Sequence, residues 1–319
     1  MKKMISIIIP AYNEEENIEE LHQRLERVIR SLPQYEFEVI IVDNGSTDST
    51  LEKLIQVNKE HKNFKIISLT RNFLPVNNAI TAGLKYAIGD AVFITYADLQ
   101  DPPELIPEFI KKWEQGYEIV YGIIRKREGI QASRKILYSI FYDLINRLTD
   151  QIIPKDASDF TLIDKKVNCI INNLEEKNKF LRGLIPWTGF KKIGIEYDRA
   201  PRHAGKSKAD ISTVLNFAIN GLFSFSNFPL HIASILGFVL SLISFILIFI
   251  EGILFLIYGR EVPGVATIIL FMLFSFGILF FLLGIIGGYI GKIYEEVKKR
   301  PDYIIKQEIG FGNVPDHKA

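Results

Sequence analysis

The sequence predicts an α/β protein: a Rossmann-like, mostly parallel sheet with helices on both faces, followed by an interfacial helix and a two-helix membrane hairpin. Three observations predict it. Short β-rich runs alternate with helix-periodic segments from residue 4 to about 125. No Asp, Glu, Lys or Arg occurs from Ile211 to Ile250 or from Val262 to Gly291, and each stretch exceeds the ~20 apolar residues that cross a ~30 Å hydrocarbon core. Clustered carboxylates follow the run Ala91–Thr95, where open α/β sheets bind their ligands, at the carboxyl ends of strands.

In chain order, Ile5–Ile9, Phe37–Val42, Phe64–Leu69, Ala91–Thr95 and Glu118–Tyr121 read as strands. Glu14–Arg30, Thr50–Lys59, Asn78–Ala87 and Glu104–Gln115 read as the helices between them. An amphipathic helix is expected near Gln131–Leu148, with Arg134, Lys135 and Arg147 among apolar residues. These elements make one domain over 1–210. Residues 211–229 are apolar with a mildly polar face, which suits a helix in the plane of a membrane interface. Spans are expected at about 231–257 and 263–291, within 230–292, leaving 293–319 as a tail. Arg199, Arg202, Lys206 and Lys208 precede the first span and Lys292, Lys298, Lys299 and Arg300 follow the second. Both termini and the large domain are therefore expected on the cytoplasmic side. Met1-Lys2-Lys3 leads into only a brief apolar run broken by Pro10, which reads as a first strand and not as a signal peptide.

The chain has 319 residues, 48% of them hydrophobic, and a net charge of +1, which argues against a nucleic-acid partner. One cysteine, Cys169, excludes an intrachain disulfide framework. The five histidines (His22, His61, His203, His231, His317) show no zinc-ligand spacing and read as structural or surface residues.

Four segments carry candidate chemistry. Pro10-Ala11-Tyr12-Asn13-Glu14-Glu15 ends the first strand and opens a helix, whose free N–H groups suit an anion, while Glu14 suits a base or ribose. Asp43-Asn44-Gly45-Ser46 ends the second, with Gly45 permitting close backbone approach. Tyr96-Ala97-Asp98-Leu99-Gln100-Asp101 ends the fourth. Asp98 and Gln100, two apart, can turn both side-chain oxygens toward one divalent cation, and Mg²⁺ suits a site with few protein ligands and a diphosphate. Arg199 to Lys208 is basic, and Gly205 and Ser207 among its cations suit a phosphate clamp beside a membrane.

On these segments, together with Arg71-Asn72-Phe73, Asp159-Phe160 and Arg182-Gly183-Leu184, the chain resembles the family 2 glycosyltransferases of the polyprenyl-phosphate branch, which includes dolichyl-phosphate mannose synthases and bactoprenol glucosyltransferases. The resemblance spans nearly the whole chain, the paired spans included. It implies a GT-A fold, a nucleotide-sugar donor (UDP-hexose or GDP-mannose), a polyprenyl phosphate acceptor, Mg²⁺ or Mn²⁺, and inversion at the anomeric carbon. It implies that Pro10, Tyr12, Glu14, Asp43 and Asn44, with Asp98, bind the donor. Asp98 and Gln100 would hold the metal, and Arg125, Arg134, Arg202, Ser207 and Lys208 the acceptor and diphosphate phosphates. Asp98 and Asp159 would be the catalytic carboxylates. A phosphate monoester is largely a dianion at pH 7, so Asp159 is expected to orient the sugar or an arginine and not to act as a general base. The hairpin is expected to be an anchor in membrane lipid, open to homo-oligomer formation, with flipping left to a separate flippase and the product used by a downstream glycosyltransferase.

Some positions depart from the family pattern. Tyr96 stands where a carboxylate is frequent, Asn44 where a second aspartate is, Thr161 where an arginine often follows Asp-Phe, and Leu74-Pro75 replaces a glycine-containing turn. Two rivals follow from the same residues. A processive polysaccharide synthase should carry Gln-x-x-Arg-Trp, and Gln131–Lys135 lacks the tryptophan. An inactive membrane scaffold is suggested by Tyr96 but opposed by Asp98, Gln100 and Asp159.

Overall fold

A computed structural model describes residues 2–125, 157–177, 179–201, 228–259 and 264–312. Its first half repeats strand and helix: β1 (Lys3–Ala11), α1 (Ile18–Ser31), β2 (Tyr35–Asp43), α2 (Thr50–Glu60), β3 (Phe64–Leu69), α3 (Asn77–Tyr86) and β4 (Ala91–Ile94). A short 3₁₀ turn at Pro103–Leu105 leads into α4 (Ile106–Glu114) and then β5 (Ile119–Ile124). After these come β6 (Ala157–Asp164), α5 (Lys165–Asn173), α6 (Leu181–Trp187) and β7 (Lys192–Tyr197). The apolar helices α7 (Phe228–Tyr258) and α8 (Val265–Lys298) precede a last strand, β8 (Ile305–Ile309).

The eight strands form one sheet in the order β7-β5-β6-β4-β1-β2-β3-β8. Its centre, β4-β1-β2-β3, is parallel as expected. The sheet is mostly parallel, as expected, and also takes in two antiparallel strands. β6 inserts antiparallel between β4 and β5, and β8 pairs antiparallel with β3. The physical reason is that both strands arrive from distant chain segments, so no short βαβ crossover constrains their direction.

Local sequence explains the central elements. β4 and the stretches Ile7–Ile9 of β1 and Val39–Val42 of β2 are apolar runs buried on both faces, as parallel strands covered by helices require. α1 buries Ile18, Leu21, Leu25 and Val28, one stripe at three- and four-residue spacing, and faces Arg27 and Arg30 outward. The helix starts at Ile18 and not at Glu14, because Tyr12 to Asn17 is committed to a loop with Asn13 at φ 53°. Beneath the end of β4, Phe93, Phe109 and Phe160 meet edge-to-face with ring centroids 4.9–5.2 Å apart. Burying each ring contributes roughly 1.5–3 kcal/mol, and the trio locks β4 and β6 together just below the strand ends that carry the candidate chemistry.

The chain divides into two units, Met1–Ala218 with Arg300–Ala319, and Ile219–Lys299. In the first, the C-terminal segment is more than a tail: the Tyr86 hydroxyl donates to Glu308 Oε1 at 2.6 Å and Thr70 N–H to Ile304 O at 3.0 Å. In the second, α7 and α8 are 31 and 34 residues long and pack on each other. Both are long and apolar enough to cross a membrane, over Ala233–Leu254 and Phe274–Lys298. They present Phe238, Phe245, Leu256 and Phe280 outward, which a water-facing surface would not favour. The expected helix near 131–148, the interfacial residues 211–227 and the connection at 260–263 lie outside the described residues.

Candidate active site

The carboxyl ends of β2, β1 and β4 lie side by side, so their loops share one edge of the sheet. The loops after β1 and β2 are knitted to each other. Asn13 N–H donates to Ser46 Oγ at 3.0 Å, Thr47 N–H to Asn13 Oδ1 at 2.8 Å, and Glu14 N–H to Thr50 Oγ1 at 2.8 Å. Asp43 is buried and accepts from Ser46 N–H and from the Ser68 hydroxyl, both at 3.0 Å. Asn44 spends its whole amide on the loop after β3, donating to Asn72 Oδ1 and Phe73 O and accepting from Phe73 N–H at 2.9 Å. Gly45 has φ 70°, and a Cβ there would collide with the backbone of Arg71. The close approach that this glycine permits is thus between two loops of the chain itself. Glu14 Oε2 accepts from Asn17 Nδ2 at 2.5 Å. Pro10 is buried in β1, and Tyr12 and Glu14 remain partly exposed at the loop surface.

The loop after β4 is built from charge. Leu99 takes φ 57°, uncommon for leucine, with its side chain buried, so the chain turns sharply between Asp98 and Gln100. Asp98 Oδ1 accepts from Gln100 N–H at 3.3 Å, while Gln100 Nε2 donates to Ala200 O at 3.4 Å. Ala200 N–H in turn donates to Gln100 O at 3.0 Å. Asp101 is buried: the Tyr197 hydroxyl donates to its Oδ1 at 2.5 Å, and Arg199 Nε lies 3.1 Å from the same oxygen. Burial pushes the Asp101 carboxyl up, against the pull of Arg199 and Tyr197.

Asp159 completes the cluster. The β4–β6 register pairs Ile94 with Thr161, and continuing it two places sets Tyr96 opposite Asp159. The Tyr96 hydroxyl donates to Asp159 Oδ2 at 3.1 Å, and Arg182 from α6 grips the same carboxylate in bidentate fashion, at 2.9 and 2.6 Å. Burial alone would raise the Asp159 carboxyl, but Arg182 and the Tyr96 hydroxyl outweigh it and hold it below the usual carboxylate range. The Tyr96 phenol is pushed well above its ordinary value, by burial first and then by Asp159. It stays a donor at every physiological pH.

Asp101 interacts with Asp98, Asp159 and Arg199, Arg199 also with Asp98 and Asp159, and Asp159 with Arg182. Three carboxylates face two guanidiniums, an excess of one negative charge among the described residues. A carboxylate and an amide oxygen two residues apart, in a field of net negative charge, fit a hard divalent cation such as Mg²⁺ or Mn²⁺.

The structure therefore brings Asp98, Gln100 and Asp159 into one cluster, and Pro10, Tyr12, Glu14, Asp43 and Asn44 onto the neighbouring loops. Arg125 is exposed at the end of β5, 3.6 Å from Asp198. Arg134, Arg202, Ser207 and Lys208 lie outside the described residues. Sequence reasoning missed the parts played by Tyr96, Arg182, Tyr197 and Arg199. Arg182 was visible only as part of a motif, and Arg199 only as a basic flank. His22 and His61, both partly buried, are 39 residues apart in sequence, and their rings meet at 4.4 Å.

Comparison with known proteins agrees with this geometry. Residues 6–170 match the model of glycosyl transferase family 2. The chain is 40% identical to an uncharacterized glycosyltransferase of Synechocystis over 98% of both chains. It is 42% identical to one of Bacillus subtilis, over 97% of this chain and 95% of that one. It is 36% identical to the prophage-derived bactoprenol glucosyl transferase of Shigella flexneri, over 95% and 97%. Among solved structures, a mycobacterial protein shares the fold at TM-score 0.52 and 18% identity, over 70% of this chain and 75% of that one. The alternating strands and helices, the strand-end carboxylates and these relatives have one explanation: the chain belongs to glycosyl transferase family 2, with a GT-A catalytic fold and two apolar C-terminal helices.

Proposed function

We propose that the protein transfers a sugar from a nucleotide-sugar donor to the phosphate of a membrane polyprenyl phosphate, with inversion, giving a polyprenyl-phosphate-linked monosaccharide. The observation that carries this is the near full-length similarity to a bactoprenol glucosyl transferase, which extends through both apolar helices. UDP-hexose is the favoured donor and GDP-mannose the alternative.

Asp98 and Gln100 would hold Mg²⁺ or Mn²⁺, which when bound offsets the charge growing on the leaving diphosphate. Pro10, Tyr12 and Glu14 bind the nucleoside at the surface of the first loop, and Asp43 and Asn44 hold that surface in shape. Asp159 is ionised and paired with Arg182, and the dianionic acceptor phosphate has no proton for it to remove at neutral pH. It orients Arg182 and the sugar, and the dianionic acceptor supplies its own nucleophilic oxygen. Arg125, Arg134, Arg202, Ser207 and Lys208 grip the acceptor and diphosphate phosphates. The helices anchor the chain in lipid with the catalytic unit on the cytoplasmic face, which leaves translocation to a separate flippase and use of the product to a downstream glycosyltransferase.

The test is to incubate the purified chain in lipid with labelled UDP-glucose, UDP-N-acetylglucosamine, UDP-galactose or GDP-mannose and polyprenyl phosphate, with and without EDTA. A chloroform-soluble product that EDTA abolishes and Mg²⁺ or Mn²⁺ restores is expected. An insoluble polymer, or no transfer from any donor, would overturn the proposal.

A further inference from the structure

We propose that His22, Glu26 and His61 form a second metal site, sharing no residue with the acidic edge and suited to a borderline transition ion such as Zn²⁺. His22 and Glu26 lie four residues apart on α1, so both project from one face of the helix. His61 is the residue on which α2 ends, its N–H bonded to Val57 O. One donor atom from each of the three lies within 4.8 Å of the others. His61 Nδ1 is 3.2 Å from Glu26 Oε1.

Two further features point to a ligand. His22 Nε2 is shut away from water and has no hydrogen-bond partner among the described residues, an arrangement that proteins seldom leave uncompensated. Arg30 holds the other oxygen of Glu26, Nε at 3.0 Å and Nη2 at 2.9 Å, which orients the carboxylate from behind as partners of metal ligands do. The His22 ring is also fixed by Phe64, edge-on at 5.0 Å. Donors on a tetrahedral zinc stand roughly 3.3–3.5 Å apart, so small side-chain rotations close the site, with water in the fourth place. Two imidazoles and one carboxylate select Zn²⁺ over Mg²⁺ or Mn²⁺, which prefer oxygen. An ion there would tie α1 to the end of α2 without entering the chemistry.

The full-length chain, stripped with chelator and kept in excess Mg²⁺, is titrated with Zn²⁺ alone against a chromophoric competitor. One equivalent bound at micromolar affinity or tighter is expected, with at least tenfold weaker binding in both His22→Asn and His61→Ala. Zn²⁺ should raise the thermal midpoint of the wild type and leave that of His61→Ala unmoved. His61 caps the end of a helix and is partly exposed, so this variant keeps the test alive if His22→Asn misfolds. Absence of stoichiometric binding, or binding unchanged in His61→Ala, would overturn the site, the latter placing the ion at another histidine or at Cys169.

Discussion

The loops after β1 and β2 and the loop after β4 end adjacent strands of one sheet but are held by different forces. The first two are laced by polar side chains that accept backbone N–H groups. The third is held by the buried Asp101 and the half-buried Asp159 against two guanidiniums. Such local lacing, by hydroxyls, amides and carboxylates accepting nearby N–H groups, shapes backbone at modest cost and tolerates small adjustments. A buried charge network is stabilising only while every member is present, since removal of one leaves another unpaired. Substitutions should therefore register mainly as lost stability in the first region, and in the second as lost activity, joined by lost stability wherever a charge is left unpaired.

The largest effect is expected at Asp98. Asp98→Asn should lower kcat/KM by at least about 100-fold, the scale of losing one transition-state electrostatic partner, with a thermal midpoint near that of the wild type. Activity within tenfold of wild type would break the contrast. Next is Arg182→Met, which strands the Asp159 carboxylate. A loss of roughly 2–4 kcal/mol of stability is expected in urea unfolding, with activity lost as well. If Asp159 were instead held by its surroundings alone, stability would barely change.

Asp159→Asn should reduce kcat by about 10- to 100-fold without altering the shape of its pH profile between 6 and 9, because this carboxyl is ionised throughout. A profile that lost a basic limb would show that Asp159 is a titrating base. The stability linkage has a definite sign. With the folded carboxyl below its ordinary value, its contribution is complete above about pH 4 and is lost as pH falls through the folded value. Acid titration of wild type against Asp159→Asn measures this.

Smaller effects sharpen the comparison. Tyr96→Phe removes one donor to Asp159 while Arg182 remains, and should cost no more than about tenfold in kcat. Asn44→Ala leaves the buried Phe73 N–H without its acceptor and should cost about 1–3 kcal/mol in stability, with kcat nearly unchanged. A fall in kcat larger than that of Tyr96→Phe would mean that Asn44 touches the donor.

Tyr96 marks the limit of reading residues one at a time. As a letter it is a missing carboxylate; in the fold it is the hydroxyl that pairs with Asp159 from the neighbouring strand. The central strands and their helices were legible because each is encoded within its own window, by apolar runs and by three- and four-residue spacing. β6, β7 and β8 were not. Lys306, Gln307 and Glu308 carry no β pattern of their own, and β8 exists because β3 offers an open edge.

The sequence alone determined the class of the fold, the two apolar helices and the strand-end acids, because periodicity and composition are local properties. Only the tertiary structure decided which charges meet. Asp159 with Arg182 and Tyr96, Asp101 with Arg199 and Tyr197, and His22 with His61 are pairings across 23 to 98 residues. Such contacts depend on strand order and register, which no single window of sequence contains.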